Sequence, residues 1–392
     1  MKKDRILNFF VVLFSFLVPK KRKLLIMGGG DAKSFQGNPK YLLLFLRNNP
    51  DYQVYWSTKS GKVKKDLEAI KIPYLDPYSW SGFFKILSAK YHFIEKSSYD
   101  TSYSKRISGR MNYVQTWHAI PTKKVGVHAS EHLKGSLNFK YEDKFINRFL
   151  KSIRFYSRQR YKYILSTSDY TSDIFRSAFE NNNIIQTGYP RNDIFFNTDL
   201  IVNSSFEELG LKVYDRVFLY APTFRDNIDS VSPFSDKIFQ LDEYLIETNS
   251  VLLVKKHPWE KNLEVSADLK NIIDISDKPR DIQEILIFTD LLITDYSSTF
   301  FDYMVTRKPV IFYTYDYESY LLNCRGMYYD YMNELQGPFA KTEDELINYV
   351  KSVEEWSKNE SYIKKYDDTL LKFNTFQDGN SSKRVIDHLF DS

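Results

Sequence analysis

Residues 291–298, with the sequence LLITDYSS, join a short apolar run to a turn that is rich in hydroxyl groups. The run has the length and composition of a buried strand, and we predict that a helix begins near Ser298 and extends to Val305. A short apolar run followed by an amphipathic stretch recurs through most of the chain. Strands that alternate with helices in this way form parallel sheets, so the sequence predicts an α/β fold.

The other predicted strands and helices follow from the same pattern. Strands are predicted at residues 23–27, 52–58, 72–76, 91–95, 113–117, 163–167, 183–187, 217–220, 251–254, 272–275, 291–294 and 309–312. Helices are predicted at residues 39–46, 173–179, 241–247 and 281–288 and within the tail at 343–389. Asn38, directly before Pro39, is predicted to cap the first of these helices.

The length of the chain favours two domains, because 392 residues exceed what one hydrophobic core usually serves. Residues 197–205 are polar and without periodicity, and we interpret them as the linker. We therefore expect two Rossmann-like domains, at residues 23–196 and 206–375, that face each other across a cleft. A C-terminal helix is expected in residues 376–392.

The composition narrows the possible classes of function. A net charge of +5 is too modest to indicate a nucleic-acid-binding protein, and no nucleic acid partner is expected. The single cysteine, Cys324, excludes an intrachain disulfide and fits a reducing compartment. The chain contains no HExxH, CxxC or dense acidic motif, so neither a metal nor a cofactor is expected. The GxSxG pattern of serine hydrolases is also absent from the sequence.

The N-terminus is unusual because residues 6–18 (ILNFFVVLFSFLV) are almost wholly apolar and have basic residues on both sides. A membrane-spanning helix needs about 20 apolar residues, and this run is shorter. We expect residues 1–22 to form a membrane-associating helix that lies in the plane of an anionic membrane surface. A buried first helix is an alternative. A signal peptide is another, although no small-residue cleavage site follows the run.

Three segments place polar residues where predicted strands end. They are residues 220–226 (YAPTFRD), 255–258 (KKHP) and 294–298 (TDYSS). Ligands of open α/β sheets bind outside the carboxyl ends of the strands, so these segments are expected to form an anion-binding pocket. Backbone N–H groups at the start of the helix near Ser298 and the adjacent hydroxyls favour phosphate. A fourth segment, residues 115–121 (QTWHAIP), places His118 after a strand of the first half.

Each of these segments also has an ordinary structural interpretation. Ser297 or Ser298 could cap a helix, and Arg225 could form a surface ion pair. The lysines beside His257 could belong to a solvated basic edge, and His118 could be a structural histidine at a strand end. The individual motifs therefore leave the function open.

Taken together and in this order, the motifs are more specific. Residues 115–124 (QTWHAIPTKK), 187–193 (TGYPRND), 220–225 (YAPTFR), 256–258 (KHP) and 294–302 (TDYSSTFFD) resemble those of the CDP-glycerol glycerophosphotransferases of wall teichoic acid and capsule synthesis. The resemblance extends over about residues 23–375. It implies a GT-B-type fold at the cytoplasmic face of the membrane. It also implies transfer of glycerol phosphate from CDP-glycerol to an undecaprenyl-linked acceptor, with release of CMP.

The resemblance also implies roles for individual residues. His118 matches the family's histidine in a Trp-His-Gly-Thr-Pro-like motif and is expected to act as general base on the acceptor hydroxyl. His257 matches the second catalytic histidine, in a Lys-x-His-Pro motif. Residues expected to bind the diphosphate of the substrate are Thr223, Arg225, Lys256, Asp295, Ser297 and Ser298. Asp295 is also expected to orient the turn that carries the two serines.

Some features of this chain leave alternatives open. Ala119 and Ile120 stand where the family motif usually has Gly and Thr, which affects the expected acceptor or polyol more than the reaction. The length of 392 residues resembles that of the short members of the family, which include primases. CDP-ribitol in place of CDP-glycerol, a GT-B glycosyltransferase that uses a nucleotide sugar, and a non-catalytic nucleotide-binding scaffold are the alternatives. The sequence does not indicate the oligomeric state.

Overall fold

The structure is a computed structural model. It describes residues 14–102, 110–129, 161–201, 205–223, 225, 232–256, 263–278, 281–323 and 326–391. Contacts between residues divide the chain into two units. The first unit comprises Met1–His118, Leu133–Val202 and Asp378–Ser392, and the second comprises Ala119–His132 and Asn203–Gln377.

The first unit is built on a parallel sheet of seven strands in the order β3-β2-β1-β4-β5-β6-β7. The strands are β1 Lys21–Met27, β2 Gln53–Ser57, β3 Tyr74–Leu75, β4 Ala89–Ile94, β5 Asn112–Gln115, β6 Tyr161–Ser166 and β7 Ile184–Gln186. The helices are α1 Gly37–Leu46, α2 Gly61–Ala69, α3 Trp80–Ser88 and α4 Asp169–Phe179. A 3₁₀ helix, Pro190–Phe195, follows β7.

The second unit contains a parallel sheet of six strands in the order β10-β9-β8-β11-β12-β13. The strands are β8 Arg216–Ala221, β9 Ser250–Val254, β10 Ile272–Asp274, β11 Leu291–Thr294, β12 Val310–Tyr313 and β13 Phe339–Ala340. The helices are α5 Ser205–Glu208, α6 Ile238–Glu247, α7 Ile282–Leu286, α8 Thr299–Tyr303, α9 Tyr317–Asn323, α10 Tyr331–Glu334, α11 Glu343–Lys351, α12 Val353–Trp356 and α13 Glu360–Phe373. The last helix of the chain, α14 Ser381–Phe390, belongs to the first unit.

Two central strands of the second sheet, β9 and β11, are buried along their whole length, which is typical of parallel sheets. All five residues of β9 and all four residues of β11 are buried. Strands that are buried on both faces have nearly continuous apolar sequences, as parallel sheets covered by helices do. The prediction of an α/β fold with parallel sheets is confirmed. In each sheet the strand order reverses beside the first strand, between β1 and β4 and between β8 and β11. Ligands of such folds bind at the carboxyl ends next to this reversal.

The first helix differs from its prediction. Helix α1 begins at Gly37, with Gln36 in the capping position, and Asn38 lies inside the first turn. Asn38 therefore does not cap this helix, and its fully buried side chain bonds elsewhere in the unit. The two-residue strand β13 was not predicted, because so short a segment carries little periodic signal. Helix α3 was also not predicted, although Phe83, Ile86 and Leu87 have helical spacing and pack into one core cluster.

The two units differ from the predicted domains in two places: the last helix, α14, belongs to the first unit, and residues 119–132 belong to the second unit. The carboxylate of Asp193 accepts hydrogen bonds from the backbone N–H groups of Ser381 and Ser382 (2.9 and 2.7 Å), which holds α14 on the first unit. Conversely, the backbone N–H of Lys124 donates to the carbonyl of Gly326 at 2.9 Å. Residues that follow His118 therefore pack with the second unit, although the sequence predicts that they belong to the first domain.

The predicted membrane-associating helix lies largely outside the described residues. Residues 14–17 are helical, and the Oγ atom of Ser15 accepts a hydrogen bond from the backbone N–H of Arg110 at 3.3 Å. Among the helices that the structure describes, none has the length and apolar character that crossing a bilayer requires.

The buried His92 of β4 predicts a loss of stability at acidic pH. Burial, assisted by the charge of Lys20, lowers the pKa of His92 from 6.5 to about 3. Because the folded pKa lies below the unfolded one, the unfolded state binds more protons, and stability falls as the pH decreases from about 6.5 toward 3. The expected contribution is about 1.4 kcal/mol per pH unit in this window. His92→Leu should remove it, measured as the free energy of unfolding in urea between pH 7.5 and 5.

His388→Leu is the matched control, because His388 is exposed on α14. It should keep the pH dependence of the unmodified protein. Equal slopes in the His92→Leu variant and the unmodified protein would show that His92 is not held neutral by burial.

Candidate functional site

The carboxyl ends of β8 and β11 are joined directly to each other. Ala221 and Thr294 are paired in the sheet, and the hydroxyl of Thr294 donates to the carbonyl of Ala221 at 2.7 Å. One residue further along, the carboxylate of Asp295 accepts the backbone N–H of Thr223 at 2.8 Å. We call this region, comprising Thr223, Arg225, Lys256, Asp295, Ser297 and Ser298, the second-unit edge. It contains six of the eight predicted site residues.

Arg225 connects three loops of the second-unit edge. Its Nε and Nη2 atoms donate to the two carboxylate oxygens of Asp316 at 2.6 and 3.0 Å. Nη2 also donates to Asp295 at 2.8 Å, and Nη1 donates to the carbonyl of Thr223. The side chain of Arg225 is only 7% exposed and that of Asp295 is fully buried. The guanidinium thus ties the loop after β8 to the loops after β11 and β12.

The buried network pairs one guanidinium, that of Arg225, with two carboxylates, those of Asp295 and Asp316. Burial disfavours the charged form of Arg225, but the carboxylates of Asp295 and Asp316 outweigh this effect and raise the pKa of Arg225. The hydroxyl of Tyr296 donates to Asp316 at 3.0 Å, and its ring stacks on Tyr320 with 3.7 Å between the ring centroids. With these partners, the guanidinium of Arg225 fixes the relative positions of the loops after β8, β11 and β12. Direct contact between Arg225 and a phosphate stays a prediction.

Lys256 follows β9 and is also engaged by neighbours. Its Nζ atom lies 2.7 Å from a carboxylate oxygen of Asp274 and donates to the carbonyl of Leu263 at 2.9 Å. Its backbone N–H donates to the hydroxyl of Ser276 at 2.9 Å. The adjacent catalytic candidate, His257, lies outside the described residues.

The hydroxyl groups of the edge differ in how they are used. Ser297 donates to the hydroxyl of Thr299 at 2.9 Å and accepts the backbone N–H of the same residue. Ser298 precedes α8 but makes no capping bond with its side chain. The hydroxyl of Thr223 is buried without a hydrogen-bond partner among the residues that the structure describes. The capping interpretation is therefore not supported for Ser298, whereas Ser297 accepts the N–H of Thr299, the first residue of α8. The hydroxyls of Thr223 and Ser298 are candidates for ligand binding.

His118 lies at the carboxyl end of β5 in the first unit and is exposed. Its Nδ1 atom is 3.5 Å from the carbonyl oxygen of Glu95, which follows β4. The preceding residue, Trp117, adopts a left-handed backbone with φ of +57°. The rings of Trp117 and His118 lie 4.8 Å apart between centroids. An exposed imidazole at the carboxyl edge of a parallel sheet is suited to proton transfer with a bound ligand.

Two buried residues near His118 were missed as contributors to the site. The amide of Asn38 donates to the carbonyls of Thr116 and Trp117, both at 2.9 Å. The guanidinium of Arg191 donates to the carbonyl of His118 at 2.7 Å. The sequence predicts a helix cap at Asn38, and residues 187–193 contribute only to the family resemblance. The pairing of these segments is a long-range contact that no local pattern reveals.

The structure also locates the two residues that depart from the family motif. Ile120 is buried with 1% of its surface exposed, and Ala119 is half-buried. The isoleucine side chain therefore contributes to packing. Among the described residues, no cluster of three or more His, Cys, Asp or Glu side chains is arranged to hold a metal ion.

Comparisons with known proteins extend over nearly the whole chain. The sequence pattern of the family described as CDP-glycerol:poly(glycerophosphate) glycerophosphotransferase matches residues 10–391. A teichoic acid poly(glycerol phosphate) polymerase of Bacillus spizizenii is 32% identical over 95% of this chain and 93% of that protein. A teichoic acid glycerol-phosphate transferase of Staphylococcus aureus is 31% identical over 92% of this chain and 90% of its own.

Solved structures of two kinds of protein share the fold of this chain. The wall teichoic acid polymerase TagF has a TM-score of 0.75 and 25% identity, with 98% of this chain and 92% of that chain covered. A UDP-N-acetylglucosamine 2-epimerase of Listeria monocytogenes shares the fold with a TM-score of 0.51 and 14% identity, over 95% and 97% of the two chains. Because a relative named as a polymerase is matched along 93% of its length, chain length alone does not identify a primase.

The buried network of the second-unit edge predicts a large effect of Asp295→Ala on stability. The substitution leaves the buried Arg225 and the backbone N–H of Thr223 without this carboxylate. Breaking a buried ion pair typically costs about 3–5 kcal/mol. We expect a decrease of about 3 kcal/mol in the free energy of unfolding, measured by urea denaturation.

Asp367→Ala is the matched control, because it removes the carboxylate of an exposed arginine pair, Arg307–Asp367, in the same unit. Its cost should stay below about 1 kcal/mol. Similar small costs for the two variants would contradict the structural role given to Asp295.

Proposed function

Because the chain belongs to the CDP-glycerol:poly(glycerophosphate) glycerophosphotransferase family, we propose that it transfers glycerol phosphate from CDP-glycerol to a lipid-linked acceptor and releases CMP. The acceptor is a saccharide or a polyol phosphate, and the product belongs to a cell-surface polymer of the teichoic acid or capsule type. The observation that carries the proposal is the exposed His118 at the carboxyl edge of the first sheet, within a family match that includes residues 10–391.

The reaction is an in-line displacement at the β-phosphorus of CDP-glycerol. The acceptor hydroxyl forms a new bond to this phosphorus while the bond to the oxygen of CMP breaks. His118 takes the proton of the attacking hydroxyl as general base, and CMP leaves with the bonding electron pair. Histidine is the side chain that most often serves as a general base, because its neutral imidazole can accept a proton near pH 7.

The second-unit edge is proposed to bind the diphosphate. The hydroxyls of Ser298 and Thr223 would donate to phosphoryl oxygens, and Lys256 supplies a positive charge. Ser297 would join them once its hydroxyl, which donates to Thr299 in the structure, turns toward the ligand. Preorganised donors of this kind stabilise the charge that develops on a transferring phosphoryl group. Asp295 acts with Arg225 by fixing the loops that carry these donors. Direct binding of phosphate by Arg225 and the catalytic role of His257 are part of the proposal.

The proposed place of the reaction is the cytoplasmic face of the membrane, where a lipid-linked acceptor would be presented. Residues 1–22 would attach the protein to an anionic membrane surface, because a basic and apolar segment combines charge attraction with hydrophobic insertion. An undecaprenyl-linked acceptor fits this location. Relatives named for glycerol phosphate match the chain at 28–32% identity and relatives named for ribitol phosphate at 28–29%, so identity alone does not separate the two. Glycerol is favoured by the family description, which names CDP-glycerol.

The role of His118 predicts a severe loss of turnover in His118→Ala. Loss of a positioned general base typically costs about 10²- to 10⁴-fold in rate. CMP release from CDP-glycerol in the presence of a lipid-disaccharide acceptor measures the rate, and calorimetry measures CDP-glycerol binding, which should persist. His388→Ala, at an exposed histidine of the same unit, should leave turnover unchanged. Near-full activity of His118→Ala would refute the assignment of the base.

The membrane role of the N-terminus predicts weaker vesicle binding after deletion of residues 1–13. This deletion keeps Ser15, whose hydroxyl bonds to the backbone of Arg110, so the folded part is preserved. Co-sedimentation with vesicles that contain anionic lipid should decrease, and binding to neutral vesicles should be weak for both proteins. Unchanged retention on anionic vesicles would refute the anchor.

A further inference from the structure

We propose that Asn38 and Arg191 are positioning residues, which together fix the backbone turn that presents His118. The inference rests on the proposed function, because it concerns the residue to which that function gives the role of general base. It adds two buried side chains that come from separate parts of the chain.

The turn before His118 is strained and needs external support. Trp117 has a φ of +57°, in the left-handed region where a side chain with a Cβ atom costs about 1–2 kcal/mol. Such a conformation persists only where surrounding contacts over-determine it. Part of the required support comes from the indole of Trp117, which packs against Phe175 and Phe179 of α4 at 5.7 and 4.8 Å between ring centroids.

Asn38 supplies the first set of bonds to this turn. Its amide nitrogen donates to the carbonyls of Thr116 and Trp117, both at 2.9 Å. Its amide oxygen accepts the backbone N–H of Arg191 at 3.1 Å. The side chain of Asn38 is fully buried and is carried by the first turn of α1. One amide thus links α1, the strained turn and the segment after β7.

Arg191 supplies the bond to His118 itself. Its Nη1 atom donates to the carbonyl of His118 at 2.7 Å, while its guanidinium carbon lies 5.2 Å from the ring centroid of Tyr189. Arg191 is 6% exposed, so its planar head is held within the unit. A hydrogen bond from a charged donor is stronger than a neutral one, and it restrains the carbonyl more firmly.

The consequence is that three successive carbonyls, those of residues 116, 117 and 118, accept hydrogen bonds from buried side chains. The backbone on both sides of the His118 side chain is therefore fixed, although its imidazole is exposed. Proton transfer depends on placing the base within hydrogen-bond reach of the reacting hydroxyl. A displacement of about 1 Å can cost about 10²-fold in rate.

The test is Arg191→Met, made both in the unmodified protein and in His118→Ala. In the unmodified protein, we expect kcat to fall about 10- to 100-fold while the KM for CDP-glycerol stays nearly unchanged, because only placement of the base is disturbed. In the His118→Ala background, Arg191→Met should cause no further loss, because residues that act through one another are not additive.

Arg47→Met is the matched control in both backgrounds. Arg47 also donates to a backbone carbonyl of the first unit, that of Asp199 at 3.0 Å, but at an exposed position. It should leave kcat unchanged. Arg191→Lys keeps a charged donor and should recover part of the loss in kcat. If Arg191→Met folds poorly, the more conservative Arg191→Lys still tests the role of the charged donor.

The outcomes separate this inference from the proposed function. Equal losses from Arg191→Met with and without His118 would overturn the positioning role, and so would an unchanged kcat in Arg191→Met when His118→Ala is inactive. A fully active His118→Ala would instead refute the proposed base. Failure of Arg191→Lys to exceed the kcat of Arg191→Met would likewise count against a role for the charged donor.

Discussion

The buried carboxylate of Asp295 is the group on which the second-unit edge depends. Parallel strands all end on one side of a sheet, so their polar ends must be satisfied in the same small region. Asp295 accepts the backbone N–H of Thr223 and the guanidinium of Arg225, and its own carbonyl accepts the hydroxyl of Tyr331. Because Arg225 also holds Asp316, one charged network sets the geometry of three loops. The donors proposed for the diphosphate lie on the loops that this network fixes.

In the first unit, the turn that carries His118 is fixed by hydrogen bonds from the buried side chains of Asn38 and Arg191. Its catalytic candidate, His118, follows a residue in a strained conformation, and the strain is held by side chains that are distant in the sequence. In both units, groups that suit ligand chemistry are supported by buried polar side chains that fix the backbone around them. Precise placement of reacting groups requires such support, since hydrogen bonds behind the reacting side chain set its position.

The sequence predicted more of the fold than of the contacts within the site. Strands such as β9 and β11 were identifiable because a buried parallel strand is apolar throughout, and the ends of these strands located the candidate residues. Local pattern could not show that Arg225 meets Asp316, which follows it by 91 residues. For the same reason Asn38 was misinterpreted as a helix cap. Its role depends on a carbonyl 78 residues away, and only the folded chain brings the two together.

The central claim is that this chain moves glycerol phosphate from CDP-glycerol to a lipid-linked acceptor. The most direct test is mass spectrometry of the lipid product after incubation of the full chain with a lipid-disaccharide acceptor and, in parallel, CDP-glycerol, CDP-ribitol or UDP-sugars. The account predicts an acceptor that is heavier by whole glycerol phosphate units, with one CMP formed for each unit. An acceptor that gains mass only from a UDP-sugar, with no CMP formed from CDP-glycerol, would contradict it.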